Sequence, residues 1–220
     1  MRVYLSSFLL GNDPARLVQL AGGRMRCGLI LNALDNAPDA RGRFRSCQTK
    51  ALLDLGFSVE EIDLRSYFAN DRIADVLQSF DILWINGGNA FILRKAMRQS
   101  GLDVLLPNLL AQDAILYAGF SAAAVIASDD LRGLTPSAAS HVHLNEYDDG
   151  LLWEGLRITP AAIVVHYDSD HPGSQQAAEE AEYYRQNGIA YRVLRDGEAL
   201  VIDGELEVVA GWPSRNIGLC

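Results

Sequence analysis

Residues 115–128, ILYAGFSAAAVIAS, decide how this chain is read. An apolar run stops at Gly119, a lone serine stands at Ser121, and three alanines follow at once. The run reads as a buried strand and the alanines as the start of a helix. Ser121 is then either a nucleophile held on a tight strand-to-helix corner or a small residue at an ordinary one. What else lies at the same edge of the fold separates the two.

Outward from that corner, short strand-like runs alternate with helical ones. RVYLSSF, CGLILNAL, SVEEIDL, DILWIN, AILYAGF, AAIVVHYD and AYRVL read as strands. EALVIDG and ELEVVAG close the chain as a hairpin. Between them, Pro14 opens a helix. RFRSCQTKALLDLG sets Phe44, Cys47, Ala51, Leu52 and Leu55 on one helical face and stops at Gly56. DRIADVLQSF, AFILRKAMRQS, GLDVLLPNLLAQD (interrupted at Pro107) and SQQAAEEAEYYRQNG supply further helices. The acidic AEEAE run reads as the solvated face of its helix. Alternation of this kind implies an α/β fold with a mostly parallel sheet covered on both faces. Residues 1–220 read as a single domain, without repeat or linker. The least regular stretch is 129–152.

Composition narrows the partners. The chain is 49% hydrophobic and 21% charged, the balance of a soluble globular protein, with a formal net charge of -9. That charge argues against a nucleic-acid partner, which requires a basic surface. No apolar stretch reaches the roughly 18 residues that span a membrane, and MRVYLSSFLLGNDP reads as a first core strand, not a signal peptide. Cys27, Cys47 and Cys220 form no metal-type spacing, so free thiols in a reducing, cytoplasmic setting are expected. The H-x-H pair His141 and His143, with His166 and His171, lacks a completing Cys or carboxylate, so no metal is expected.

Sites in doubly wound sheets lie beyond the carboxyl ends of the strands. Gly87-Gly88-Asn89 follows DILWIN, Ser121 follows AILYAGF, and His166 ends AAIVVHY. Serine needs a base to remove its proton, histidine is the usual base near neutral pH, and a tetrahedral oxyanion needs N–H donors of the kind a glycine turn and a helix start offer. The Ser121 context is similar to a nucleophile elbow, G-x-S-x-G, with Ala123 in place of the last glycine. Asn89 also suits the N-cap of the AFILRKAM helix. Asp168 and Asp170 suit a turn or a helix cap. Trp84, Trp153 and Trp212 read as packing residues.

INGGNAFILRKAM, YAGFSAAAVIAS and IVVHYDSDHPGS, in that order and spacing, resemble the peptidase E group of serine peptidases, aspartyl dipeptidases whose relatives include the cyanophycinases. The resemblance runs from the first strand to the final hairpin. It implies a three-layer sandwich of the class I glutamine-amidotransferase-like (flavodoxin-like) architecture. It also implies hydrolysis of dipeptides or short peptides through an acyl-enzyme, with no cofactor. The expected partner is a small peptide, with no nucleic acid and no membrane, the protein being a monomer or homodimer. The amidotransferases carry cysteine at the elbow; serine here favours a peptidase.

On this resemblance Ser121 is the nucleophile, His166 the base, and the N–H groups of Gly88 and Ala122 form the oxyanion hole. The third member is sought between serine and histidine, where Asn145-Glu146 takes the place of the group's Asn-Asp or Asp-Asp pair. Glu146 is therefore the expected acid and Asp148 the runner-up. Asn89, Asp168 and His171 are the expected substrate contacts. Two departures stand out: Ala123 where the group has S-A-G, and no arginine early in the helix after the histidine loop, where one would pair with a substrate aspartate. The alternatives are a same-fold hydrolase of another acyl bond and a catalytically silent small-molecule-binding protein.

Overall fold

The computed structural model describes residues 1–68, 70, 72–134, 144, 146–148 and 150–211. Its centre is a seven-stranded sheet in the order β3-β2-β4-β5-β1-β8-β9. These strands are β1 (Arg2–Ser6), β2 (Arg26–Ile30), β3 (Ser58–Glu61), β4 (Ile82–Ile85), β5 (Leu116–Phe120), β8 (Ala199–Asp203) and β9 (Leu206–Ala210). The first five run parallel, with Leu116 of β5 opposite both Arg2 of β1 and Ile82 of β4. β8 and β9 are antiparallel additions joined by a two-residue turn at Gly204-Glu205. β6 (Ala162–Val164) and β7 (Tyr191–Val193) pair in parallel as a separate two-stranded sheet.

Period-two alternation explains why the sheet is covered twice. Along β4, Ile82 and Trp84 face one layer, and Leu83 and Ile85 the other; along β5, Leu116, Ala118 and Phe120 oppose Tyr117. The first layer is closed by α1 (Ala15–Ala21) and α2 (Pro38–Asp54) through Leu17, Leu20 and Leu52. The second is closed by α3 (Ile73–Leu77), α4 (Ala90–Gln99), α5 (Leu102–Ala111) and α6 (Ala122–Ile126). β6 alternates as well: Ile163 and Val165 enter that second layer, while Ala162 and Val164 pack under α7 (Ser174–Gln186) with Ala177, Ala181 and Tyr184. Each fully buried Leu, Ile or Phe in these layers contributes roughly 1.5–3 kcal/mol over an exposed one.

The expected three-layer α/β arrangement is thus the one observed, with local corrections. Pro107 does not interrupt its helix, which continues from Leu102 to Ala111 around it. α2 starts at Pro38, before the stretch that suggested it. Trp84 is buried and donates to Gln48 Oε1 (2.9 Å), Trp153 packs on Phe91, and Trp212 lies outside the described residues. Cys27 is free and buried, but Cys47 is in a disulfide, which corrects the expectation of free thiols there; Cys220 lies outside the described residues. Among the described residues no helix is long and apolar enough to cross a membrane.

Gly119 shows how tightly β5 is held. A methyl there would lie 2.3 Å from the Ile85 carbonyl oxygen of β4 and 2.7 Å from Ala123 Cβ. Backbone cannot retreat as a flexible side chain can. Gly119→Ala is therefore expected to lower the unfolding free energy by about 1–3 kcal/mol, read as a shift in the urea midpoint at unchanged slope.

Candidate active site

The carboxyl ends of β1, β4, β5, β6 and β7 converge on one pocket. Ser121 follows β5 and has φ 51° and ψ -110°, a backbone region that costs a non-glycine residue about 1–3 kcal/mol. It is held there from both sides. Its N–H donates to the Ser6 carbonyl of β1 (3.1 Å), and its own carbonyl accepts from Ala124 and Val125 of α6 (2.9 and 3.0 Å). The result is a sharp strand-to-helix elbow with Ala122 as the first residue of α6. The N–H groups of a helix's first turn have no partner within the helix. Ala123 is buried, its carbonyl accepting from Tyr117 Oη at 2.9 Å, so its methyl fits.

β4 ends in the Gly87-Gly88-Asn89 turn. Gly88 has φ 143°, and a Cβ there would lie 2.5 Å from the Ala33 carbonyl oxygen. Only glycine suits both conditions. Among the described residues its N–H makes no hydrogen bond. Asn89 caps α4, its Oδ1 accepting from Phe91 N and Ile92 N at 2.9 and 3.1 Å, a contact worth about 1 kcal/mol. It also lines the pocket.

His166, after β6, brings Nε2 to 3.1 Å from Ser121 Oγ. Its Nδ1 lies 2.7 Å from Oδ1 of Asp196, which follows β7. The acid on the imidazole is therefore Asp196, not Glu146 or Asp148. The reason lies in what holds the 146–148 segment. Glu146 pairs with Arg65 (3.5 Å) beyond the β3 edge of the sheet, and its side chain is 64% exposed. α4 grips the backbone there: Lys95 Nζ donates to the Asp148 carbonyl (2.7 Å) and Gln99 Nε2 to the Glu146 carbonyl (3.3 Å). Tyr147 is tied to Asp35 beside them. Asn145 lies outside the described residues.

Ser7, at the end of β1, was not singled out by sequence, yet it joins the two loops. It is fully buried; its Oγ accepts the His166 N–H (2.8 Å) and donates to Asp196 Oδ1 (2.8 Å), while its N–H donates to the Glu198 carbonyl (2.9 Å). Burial pushes the Asp196 carboxyl up, but the hydrogen bond and charge of His166, with the Ser7 hydroxyl, outweigh it and leave the carboxyl below its ordinary value. The signal for Asp196 was present: AYRVL is a strand, and the carboxyl-end rule that picked Ser121 and His166 also picks the acid after it.

His171 stacks on His166, ring centroids 3.6 Å apart and planes within 6°. Its Nδ1 accepts from Gly173 N (3.0 Å); burial first, then the neighbouring imidazole, lower its pKa and favour the neutral ring. Asp168 turns away to Arg195 (3.1 Å) with its side chain 70% exposed, which corrects its expected substrate contact. His166, His171 and Asp196 are also the one cluster of metal-type donors among the described residues. His166 Nδ1, Asp196 Oδ1 and His171 Nδ1 already face hydrogen-bond partners, so those atoms do not converge on an ion. His141 and His143 lie outside the described residues.

A cavity of about 330 Å³ opens beside this chain, lined by Gly88, Asn89, Ser121, Ala122 and His166 and, from α7, by Gln176, Ala177 and Glu180. Glu180 corrects the reading of AEEAE as wholly solvated: it is 4% exposed, while Glu179 faces solvent. Burial raises its pKa to about 8, against a hydrogen bond from Tyr184 that lowers it.

The model of peptidase family S51 matches residues 38–208. An uncharacterized peptidase of Listeria innocua is 38% identical over 124 residues, 54% of this chain and 54% of that protein. The peptidase E of Streptomyces coelicolor is 28% identical over 166 residues, 73% of this chain and 63% of that protein. The chain thus spans about half to two thirds of the length of the curated relatives it matches. In fold it follows a Listeria monocytogenes protein provisionally designated a peptidase E, with a TM-score of 0.74 at 21% identity over 96% of this chain and 98% of that one.

Two outcomes test the site's construction. Ser7→Ala strands the buried His166 N–H and is expected to cost about 1–3 kcal/mol of stability, measured by chemical denaturation. Glu180 ionises near 4.5 when the chain is unfolded and about 8 when folded, so folding takes up a proton between these values. Its contribution is greatest below the window and falls as pH rises through it. Glu180→Gln should flatten that fall in a series of melts from pH 5 to pH 8. A family model covering residues 38–208 and an elbow, glycine turn and histidine at the strand ends lead to one statement of identity: the chain belongs to peptidase family S51.

Proposed function

We propose that this protein is a serine peptidase hydrolysing dipeptides or short peptides, with Ser121 as nucleophile, His166 as general base and Asp196 as the acid behind it. The observation that carries the reading is the continuous chain of contacts from Ser121 Oγ to His166 Nε2 (3.1 Å) and from His166 Nδ1 to Asp196 Oδ1 (2.7 Å). Asp196 accepts from Nδ1–H and thereby leaves the Nε2 lone pair facing the serine hydroxyl. Ser121 Oγ attacks the peptide carbonyl as its proton passes to Nε2. The carbonyl oxygen gathers negative charge, which the N–H groups of Gly88 and Ala122 are placed in the sequence to receive. Collapse breaks the C–N bond, and the departing amine takes the proton from Nε2. Water then attacks the acyl carbonyl as His166 Nε2 takes its proton; that proton passes to Ser121 Oγ as the acyl C–O bond breaks, which releases the acid and restores the hydroxyl.

The size of the cavity, about 330 Å³, fits a small substrate better than a folded protein. The net charge of -9 keeps nucleic acid out of the reading, which also takes the chain as cytoplasmic. No metal or organic cofactor enters any step. A relative from Drosophila melanogaster bears the name of a probable alpha-aspartyl dipeptidase, 24% identical over 166 residues. Among the described residues lining the pocket there is no arginine or lysine to hold an aspartate side chain, so the proposed substrate is a short peptide without that restriction.

The test is a panel of dipeptides and short peptides beside simple esters, with a fluorophosphonate probe. Ser121 is expected to carry the phosphonate adduct by mass spectrometry, and Ser121→Ala to abolish both adduct and turnover while remaining folded. Asp196→Asn should lower kcat by about 10⁴-fold, and Glu146→Gln should change it less than twofold. Full activity in Ser121→Ala overturns the reading. A larger loss in Glu146→Gln than in Asp196→Asn overturns the assignment of the acid.

A further inference from the structure

α7 turns one face toward the cavity, and the residue that ends that face is an acid. Gln176, Ala177 and Glu180 recur at the three- and four-residue spacing of one helical side, and all line the pocket that holds Ser121 and His166. Among the described residues lining it, Glu180 is the sole carboxylic acid, and neither lysine nor arginine is present. Phe91, Val125, Leu134 and Val165 make the walls apolar. An apolar passage with one buried carboxyl suits a group that is apolar along its length and positive at its tip.

The hydrogen bonds of Glu180 are incomplete in a telling way. Among the described residues its one partner is Tyr184 Oη, 3.3 Å from Oε1, and the same hydroxyl lies 3.2 Å from the Asp130 carbonyl. One hydroxyl proton cannot serve both acceptors. Tyr184 donates to Glu180 Oε1 only when it is not donating to the Asp130 carbonyl, so the carboxyl has no donor of its own. An uncharged acid at this depth follows from its burial, because a lone carboxylate out of water is costly. The other titratable groups around it are Tyr184 on its own helix, the Asp130 carboxylate, which is turned to Arg132 (2.8 Å), and His166 across the cavity.

We propose that Glu180 is the specificity-determining residue of this pocket and that it receives an organic ammonium group of the substrate, either the free α-amino group of a short peptide or a lysine-type side chain. The inference rests on the peptidase reading for its substrate class. As the ammonium arrives, the Glu180 O–H bond breaks, its proton leaves to solvent, and the carboxylate so formed pairs with the cation. Binding therefore releases up to one proton. A substrate without a free ammonium gains nothing comparable: its carboxylates meet no cation among the described lining residues, and it would keep the Glu180 proton in place.

The experiment separates this recognition from catalysis by using the Ser121→Ala chain, which binds without turnover. Lys-Ala, Ala-Ala, N-acetyl-Lys-Ala and N-acetyl-Asp-Ala, which has no ammonium group, are titrated calorimetrically at pH 6.5 in two buffers of different ionisation enthalpy. At least one of the first three should bind with net proton release, and at least tenfold more tightly than N-acetyl-Asp-Ala. Release with Ala-Ala identifies the α-amino group as the ligand; release with N-acetyl-Lys-Ala and none with Ala-Ala identifies the side chain. Adding Glu180→Gln should abolish the proton release and weaken binding at least tenfold. If that double variant does not fold, the single Ser121→Ala chain still decides, because its affinity for the ammonium ligand should rise as pH is raised from 6 to 8. Preference for N-acetyl-Asp-Ala, binding without proton release, or unchanged affinity in Glu180→Gln overturns the proposal. Loss of turnover on every peptide in the unsubstituted protein, with these binding results intact, overturns the peptidase reading and leaves the ammonium site standing.

Discussion

The hydroxyl of Ser7 holds three separate pieces of the chain to one another: the end of β1, the loop after β6 and the loop after β7. Both contacts are made inside the protein, where a hydrogen bond has no water to replace it and a missing partner is expensive. This matters because β6 and β7 are not part of the central sheet. No ladder bonds fix the height of His166 and Asp196 relative to Ser121. The Ser7 bridge does so, together with the Tyr167 and Leu194 backbone bonds that keep the two loops in step. His166 itself has φ 61°, so its ring is aimed by a backbone that needs outside support to keep that shape.

The two ends of the strand edge treat charge differently. Near β2 and β3, Asp35, Arg41, Asp63 and Arg65 form a partly buried network that includes Asn32 and Tyr147. Pairing with Arg65 outweighs burial at Asp63 and holds its carboxyl well below the usual range. Near α7, Glu180 has burial without a cation and moves the opposite way. The same functional group, a carboxyl, thus ends as a fixed anion in one place and as a neutral acid in the other. Only the neutral one faces the cavity, where a ligand can change its state.

Much of this was legible in the sequence because it rests on local pattern. The alternation of strand and helix, the double-faced burial of DILWIN and AILYAGF, the glycine turn, Ser121 and His166 all follow from periodicity, small residues and the rule for strand ends. The third member was misassigned for a reason with physical content. A search between serine and histidine treats the acid as a matter of sequence order, whereas the imidazole needs only an acid whose strand ends beside its own, and β7 is paired to β6. Asp196 was not singled out, although it follows the AYRVL strand. Glu180 was hidden for the converse reason: AEEAE holds three acids, and which one turns inward depends on where Ala177, Ala181 and Tyr184 pack. Ser7 carried no local signal, since a serine at a strand end is common.

The departure at Ala123 can be weighed against the elbow itself. Where a glycine stands two residues after the serine, helix and strand can approach without limit from a side chain. Here the crowding is at the strand instead: a methyl on residue 119 meets the Ile85 carbonyl oxygen at 2.3 Å and Ala123 Cβ at 2.7 Å. The first of these conflicts involves backbone and would remain whatever occupied position 123. Position 119 must therefore be glycine on its own account. Once it is, the space it leaves is what the Ala123 methyl fills, and the methyl is buried in the α4–α6 layer. The strained φ of Ser121 is present with alanine at 123. What the elbow requires is one missing side chain between strand and helix, and Gly119 supplies it.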